Sequence, residues 1–497
     1  MTSAATGFGA ERTEGARQPP PVPPTLPQRA PVGSPAVSVL SHIRTPAPLR
    51  RPRGPKPRRR TELGLMAAAA VIVLALYVLM IVGNTNKTPA DVGPLLVAMF
   101  ALGAVGHIAN RYLAPDAHPV VLPLAFLLNG LGYVMIGRID LAYANLHWNF
   151  AAIQALWTAI GVGAYVLTLF FVRRSRDLDR YRYLLLLFGA LLLLAPLVPG
   201  IGEQINGARL WVHFGTISFQ PVELAKILLC IFFASYFVER REILTTPTAR
   251  VGSRLFLDPR PLVPITAAWI FAIGVMSLEH DIGFSALLFT LFIGMLWVTT
   301  GRTGYLALGV IAFAIGAYLA GKFLNQTHVR VETWLDPWKS CYDAGRQLCQ
   351  SWFGLGNGGI GGTGLGLGYG ASYIPEPNTD FIFAVIGEEM GLLGSTMVVV
   401  TFLLLVGAGL RIAQTARSEF AKLTATGLTI ITGFQAFFII AGVTRLMPLT
   451  GITLPFVSYG GSALIANYIL VALLMRISDE GNRVVDAAVQ SGEDIQT

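Results

Sequence analysis

Long apolar runs recur along this 497-residue chain, and no other feature restricts its fold as strongly. An α-helix needs about 20 apolar residues to cross the roughly 30 Å hydrocarbon core of a bilayer. We place such runs at 64–83, 93–113, 119–137, 149–172, 182–199, 219–238, 262–278, 282–300, 304–324, 381–410, 422–444 and 459–476. Charged residues make up only 13% of the chain, whereas soluble domains carry about 25%. The sequence therefore predicts an all-α polytopic membrane protein with about 12 transmembrane helices.

The distribution of arginine orients these predicted helices. Cytoplasmic loops of membrane proteins carry the excess of Lys and Arg. If the N-terminus is cytoplasmic, the Arg-rich loops at 173–176, 240–254 and 411–422 all fall on the cytoplasmic side, together with the C-terminus. The segment 325–380 then forms a large extracytoplasmic loop. Loops much longer than about 15 residues are commonly functional, so we expect function to concentrate there.

The first 60 residues hold a net charge of +9, which equals that of the whole chain. They contain ten arginines, Lys56, two glutamates and thirteen prolines, a composition that cannot bury a core. We predict a disordered, Pro/Arg-rich cytoplasmic tail over 1–62 that is attracted to anionic lipid. Nucleic acid is not expected as a partner, because these basic residues form no folded surface.

Two charged residues, Glu223 and Lys226, lie within a predicted span. A charged group near the centre of a membrane helix costs about 2.5–3.5 kcal/mol on insertion scales. The i,i+3 spacing places both residues on one helical face, where they can pair. Two interpretations stay open: a structural ion pair that lets both charges enter the membrane, or a pair that lines a polar cavity.

Asp380 lies between the external loop and an apolar stretch interrupted only by Glu388 and Glu389. Its predicted depth is that of a lipid headgroup, which favours a functional role. An N-cap formed by Thr379 or Asp380 explains the position equally well. The acidic turn at 279–281 is interpreted as an ordinary polar external turn.

Ten glycines fall within the seventeen residues 354–370. The segment contains a GxGxxG pattern but follows no predicted strand and lies outside the membrane, so no nucleotide cofactor is expected. Cys341 and Cys349 share the external loop, where oxidising conditions permit a disulfide. A continuous helix would hold their Cα atoms about 12 Å apart, too far to bridge, so the pairing stays open. No Cys/His cluster in the sequence has the spacing of a zinc site.

Four short stretches resemble the signature motifs of one family. They are NGARLW at 206–211, QPVELAK at 220–226, PEPNTDFIFA at 375–384 and LPFVSYGGS at 454–462. In this order they resemble the SEDS family of shape, elongation, division and sporulation proteins, which includes RodA and FtsW. The resemblance covers 119–477 and implies a ten-helix core. Two additional helices over 63–118 would precede that core, and a cytoplasmic C-terminal tail over 478–497 would follow it.

The resemblance implies a peptidoglycan glycosyltransferase of the bacterial cytoplasmic membrane. Such an enzyme polymerises lipid II into undecaprenyl-diphosphate-linked glycan at the outer face of the membrane. It acts in cell elongation or division, and general likeness favours the elongation protein. A class B penicillin-binding protein, the transpeptidase that SEDS proteins typically accompany, is the implied protein partner.

By the same resemblance, Asp380 is the catalytic residue, and Glu223 and Lys226 form the family's intramembrane ion pair. Further residues are implied to bind substrate: Arg209, Trp211, Gln220, Ser458 and Ser462. Sugar transfer needs a base for the acceptor hydroxyl and positive charge for the departing lipid diphosphate. Asp380 is the candidate base. Lys226, Arg209 or a bound divalent cation, Mg²⁺ or Mn²⁺, could stabilise the leaving group.

The chain also departs from the family pattern, and two rival functions stay open. Residues 338–347 differ from the usual family sequence, and Pro377 replaces a charged or aromatic residue, which affects loop conformation and acceptor contacts. A flippase for lipid-linked precursors would favour inverted repeats with broken helices at the midplane, and none is evident by eye. A non-catalytic scaffold of a wall-synthesis complex is the other alternative, although it would not need intact acidic and ion-pair positions.

Overall fold

The computed structural model describes residues 58–83, 92–143, 149–205, 208–215, 217–245, 249–251, 254–256, 263–279 and 281–491. The predicted disordered tail therefore lies outside the described residues up to position 57. The described helices are α1 (Arg58–Gly83), α2 (Val92–Leu113), α3 (Val121–Ala142), α4 (Phe150–Phe171), α5 (Ser175–Arg180), α6 (Arg182–Leu194), α7 (Val222–Glu239), α8 (Arg241–Thr245), α9 (Val263–Leu278), α10 (Ile282–Thr300), α11 (Thr303–Phe323), α12 (Asn325–Leu335), α13 (Arg346–Gly358), α14 (Gly370–Tyr373), α15 (Ile382–Thr415), α16 (Glu419–Val443) and α17 (Gly461–Ser491).

Each of the twelve predicted spans coincides with a helix. Within the described part of the chain, nine helices are long and apolar enough to cross a membrane, namely α1, α2, α3, α4, α10, α11, α15, α16 and α17. The other three predicted spans fall on α6 and α9, which are shorter, and on α7, which carries Glu223, Lys226 and Glu239. Helices α3, α16 and α17 lie mostly inside the bundle, whereas α11 is almost wholly exposed.

In the described parts of the chain, two small antiparallel sheets supplement the predicted all-α fold. Strands β1 (Gly202–Ile205), β2 (Ala208–Phe214) and β3 (Ile217–Phe219) pair in the order β1-β2-β3 between α6 and α7. Gly215 adopts the left-handed conformation in the β2–β3 turn, with φ +66°, which a residue without Cβ reaches at little cost. Strand β4 (Ala249–Val251) pairs with β5 (Arg254–Phe256).

The two helices that precede the predicted core are packed into the bundle. Helix α1 lies against α3, where a Cβ at Gly130 would come within 2.4 Å of the Val73 side chain. Glu62 of α1 accepts a hydrogen bond from Asn110 of α2 at 3.1 Å. At the far end of α1, a Cβ at Gly83 would lie 1.9 Å from the Leu365 carbonyl oxygen. Helix α1 therefore contacts the Gly-rich segment of the external loop.

Helix α15 is broken, although the sequence suggested an uninterrupted span. Gly391 has non-helical backbone angles, φ 67° and ψ −165°, and a Cβ there would lie 2.3 Å from the backbone nitrogen of Gly362. Beyond the break, Leu392 N–H donates to the Gly359 carbonyl at 2.9 Å and Leu393 N–H to the Ile360 carbonyl at 3.2 Å. The Gly-rich segment inserts at this point and accepts the hydrogen bonds that the broken helix cannot make internally.

The external segment 325–380 is folded. It contains α12, a 3₁₀ turn at Pro337–Ser340, α13 and α14. Cys341 and Cys349 form a disulfide with their Cα atoms 5.7 Å apart. The approach is short because α13 begins only at Arg346, so a turn rather than continuous helix connects the two cysteines.

Helical structure extends into both predicted tails. Helix α1 begins at Arg58, inside the predicted N-terminal tail, and α17 continues to Ser491, well past position 478. The extension of α17 is stabilised by Asp479, whose carboxylate pairs with Arg483 at 2.9 Å and accepts the Asp116 backbone N–H at 2.9 Å. The contact with Asp116 joins residues 363 positions apart and gave no sequence signal.

Candidate active site

The ion pair of Glu223 and Lys226 lies in the first turn of α7, and both side chains are fully buried. Lys226 donates to Glu223, and also to the Gln435 side-chain oxygen at 2.7 Å. Thr453 donates to the second Glu223 oxygen at 3.4 Å. The Lys226 ammonium also lies 5.4 Å from the Phe284 ring centroid, a cation–π distance. The charges therefore face each other and a closed polar network.

The turn at 279–281 differs from the predicted exposed polar turn, because Glu279 and Asp281 are both buried. Asp281 caps α10 by accepting the Phe284 N–H at 2.9 Å. Its second carboxylate oxygen, and one oxygen of Glu279, accept no hydrogen bond from the described residues. His280 lies outside the described residues.

Burial is the main cause of raised pKa values in this turn. It raises the pKa of Glu279 to about 9, and the neighbouring Asp281 carboxylate adds to the effect. Burial likewise raises the pKa of Asp281 to about 7, while the Phe284 N–H and the Arg330 charge oppose it. Glu279 is therefore protonated at neutral pH, because the charged form lacks solvation.

Arg330 is a central cation that the sequence analysis did not select. It lies on α12 and donates to the Thr450 carbonyl at 3.1 Å. Burial lowers its pKa, and the carboxylates of Asp281 and Asp380 act against that lowering. The Arg330 charge thus interacts with Asp281 of the buried turn and also with Asp380. The sequence signal was weak, because an arginine on a polar external helix resembles any solvated one.

Asp380 lies just before α15 and is partly exposed. Helix α15 has Phe381 at its N-cap position, with no side-chain cap hydrogen bond, so the N-cap interpretation of Thr379 or Asp380 is wrong. Burial raises the pKa of Asp380 to about 6; the Arg330 charge opposes this rise and the Glu376 carboxylate adds to it. The Asp380 carboxylate is therefore partly exposed and makes no capping hydrogen bond.

Asp380 and Arg330 lie beside Gly451 of the 445–458 loop. A Cβ at this position would make ordinary van der Waals contacts, 3.5 Å from an Arg330 guanidinium nitrogen and 3.8 Å from an Asp380 oxygen. The residue also has φ +73°, which favours glycine.

The two serines that were predicted to bind substrate, Ser458 and Ser462, form hydrogen bonds with backbone groups. Ser458 donates to the Thr379 carbonyl at 2.6 Å and accepts the Leu454 N–H at 3.0 Å. Ser462 accepts the Gln220 N–H at 2.8 Å. Ser458 therefore fixes the chain next to Asp380, and Ser462 fixes the chain just before α7.

Arg209 and Trp211 lie two residues apart on β2, so their side chains share one face of the strand. The Arg209 N–H donates to the Glu279 carbonyl at 3.1 Å, which anchors β2 on the acidic turn. The Arg209 side chain is exposed. The structure thus brings the backbone of Arg209 beside the buried turn at 279–281.

Apolar helices of membrane-spanning length define this chain as a multi-pass membrane protein. Residues 119–483 match the FtsW/RodA/SpoVE family, described as cell cycle protein. The chain belongs to this family.

Several known proteins are similar over most of their length. Peptidoglycan glycosyltransferase RodA of Mycobacterium tuberculosis is 40% identical over 430 residues, which cover 86% of this chain and 92% of that protein. A probable peptidoglycan glycosyltransferase FtsW of Geobacter sp. (strain M18) is 35% identical over 369 residues, covering 72% and 96%. A solved chain described under "Structural coordination of polymerization and crosslinking by a peptidoglycan synthase complex" is 25% identical with a TM-score of 0.53, covering 78% and 97%.

Proposed function

We propose that this chain polymerises lipid II into glycan strands at the outer face of the bacterial cytoplasmic membrane, with Asp380 as the catalytic base. The chain is a peptidoglycan glycosyltransferase, as its RodA and FtsW relatives are named. The observation that carries the assignment to Asp380 is its geometry: a partly exposed carboxylate, free of a capping role, beside the partly buried Arg330. The greater identity to RodA relatives favours a role in elongation.

In the proposed reaction, Asp380 takes the proton of the attacking sugar hydroxyl. The hydroxyl oxygen forms a bond to the anomeric carbon of the other sugar, and the bond from that carbon to the lipid diphosphate breaks with its electron pair. A base with a pKa of about 6 is ionised at neutral pH and is more basic than an ordinary aspartate. Arg330 and Arg209 are the cations proposed to stabilise the departing diphosphate.

A divalent cation is proposed to bind this site together with the substrate diphosphate. Among the described residues, no three His, Cys, Asp or Glu side chains converge to hold a metal. Asp380 offers an accessible carboxylate, and Asp281 has an oxygen without a hydrogen-bond donor among the described residues. Mg²⁺ is commonly held by one or two carboxylates together with substrate phosphates. Such an ion would supply positive charge to the diphosphate.

The broken helix bears on the flippase alternative. Transporters use unwound helix backbone to coordinate substrate or ions. At the break in α15, however, the N–H groups of Leu392 and Leu393 donate to the Gly-rich segment. The backbone at Gly391 is therefore engaged within the protein, which favours a structural role for this break.

The rate of polymerisation should fall as the pH drops through about 6, because the base must be deprotonated. Glu376→Gln should shift the profile to lower pH, since the Glu376 charge raises the Asp380 pKa. The measurement is kcat/KM against pH for both proteins. Coincident profiles would show that another group titrates.

Polymerisation by the purified chain tests the proposed function directly. Incubation with lipid II should yield glycan strands, and a class B penicillin-binding protein held beside the strand exit should increase the yield of cross-linked product through its high effective concentration. Products are resolved by gel electrophoresis after labelling. Transbilayer movement of lipid II in vesicles without any polymer would favour the flippase instead.

A further inference from the structure

A cavity of about 450 Å³ lies between α13 and α14, and neither Asp380 nor Arg330 lines it. Its volume falls within the range of about 300–1,000 Å³ found for small-molecule sites. Three aromatic side chains line it while remaining largely exposed: Phe353 at 61%, Tyr369 at 70% and Tyr373 at 63%. Contiguous exposed apolar surface is typical of ligand-binding grooves and of protein or membrane interaction sites.

The two walls of the cavity are fixed by one buried carboxylate, Glu388. It accepts the Asn357 side-chain N–H from α13 at 3.1 Å, and the backbone N–H groups of Tyr369 and Gly370 at 3.1 and 2.5 Å. A Cβ at Gly370 would lie 2.2 Å from the carboxylate, so glycine is needed for this approach. A preformed cavity loses little entropy on binding a ligand.

The chemistry of the lining selects a neutral polar ligand. None of the described residues that line the cavity is cationic, and the one carboxylate among them, Glu388, is already satisfied by three donors. A diphosphate is therefore disfavoured. Gln350 and Asn357 line the cavity, and side-chain amides of this kind can serve hydroxyl and acetamido groups. Aromatic rings beside amides suit the apolar face and polar rim of a sugar ring.

We propose that this cavity is a saccharide subsite, which holds sugar units of the glycan strand away from the reacting atoms; this rests on the glycan polymerase activity proposed above. An acyl chain would satisfy the aromatic rings but leave the amide groups without partners. The subsite keeps the strand bound between successive additions. It therefore sets the length of the product rather than the chemistry of each step.

Binding of chitotetraose, a soluble β-1,4-linked N-acetylglucosamine oligomer, tests this proposal. The purified full chain in nanodiscs should give saturable binding by saturation-transfer NMR. Tyr369→Ala and Gln350→Ala should each weaken binding about tenfold, the loss of one stacking or hydrogen-bonding partner. Tyr342→Ala is the matched control, because Tyr342 is 97% exposed in the same external segment but does not line the cavity.

Two further measurements separate this proposal from the proposed function. Asp380→Asn should bind chitotetraose like the wild type, and the cavity variants should start glycan strands normally but release shorter ones. Saccharide binding without any polymer from the wild type would overturn the polymerase and leave the subsite standing. Polymer of unchanged length from Tyr369→Ala, with no saccharide binding by the wild type, would overturn the subsite. The aromatic variants could instead only weaken the retention of the protein in the nanodisc, without any effect on saccharide binding or strand length. That result would overturn the subsite and would assign the aromatic side chains to a belt at the bilayer surface.

Discussion

Asp380→Asn should abolish glycan polymerisation while the protein still inserts and accumulates. Asparagine keeps the shape of the side chain but cannot take a proton from the acceptor hydroxyl. Loss of a general base costs about 10²–10⁴-fold in rate. Because α15 uses no side-chain cap, the change removes no helix-capping bond. The measurement is the initial rate of glycan formation from lipid II, compared at equal amounts of folded protein.

Asp343→Asn is the matched control for this experiment. Asp343 is an exposed aspartate in the same external segment, and it lies outside the candidate site. The same loss of charge there should leave the rate unchanged. A normal rate for Asp380→Asn would remove Asp380 from the mechanism and shift attention to Asp281, the other ionisable carboxylate linked to Arg330.

Glu223→Gln and Lys226→Met should each destabilise the protein more than the double variant does. The two charges are fully buried and bonded to each other, so either single change leaves an unpaired charge, at a cost of about 3–5 kcal/mol. Removing both charges avoids that cost. The measurement is the thermal unfolding midpoint in detergent together with the amount of protein in the membrane, arranged as a double-mutant cycle.

The exposed pair of Asp336 and Lys339 provides a control with the same i,i+3 spacing. Neutralising it should change stability little, because exposed ion pairs contribute about 0–1 kcal/mol. A double variant of Glu223 and Lys226 that folds normally but makes no glycan would contradict a purely structural role. The charges would then act on the substrate.

Local sequence was enough to locate the helices. Apolar runs must be helical in a membrane, since backbone groups find no water there, and each predicted span falls on a helix. The motif at 375–384 likewise marked Asp380. The sequence did not predict the break inside α15. Gly391 gave no signal by itself, because its conformation depends on the distant backbone of Gly362.

The sequence by itself determined the class of protein, its apolar helices and the pairing of Glu223 with Lys226, and it singled out Asp380 as the candidate base, because these depend on composition, on helical spacing and on contiguous motifs. Only the tertiary structure decided which carboxylates lose water and which cation meets them. The turn at 279–281 is polar in sequence, yet packing buries Glu279 and Asp281 and raises their pKa values. Arg330 comes from a helix fifty residues before Asp380, and its role exists only because folding brings it beside both Asp281 and Asp380. Burial and charge proximity are properties of the packed chain, and sequence spacing does not specify them.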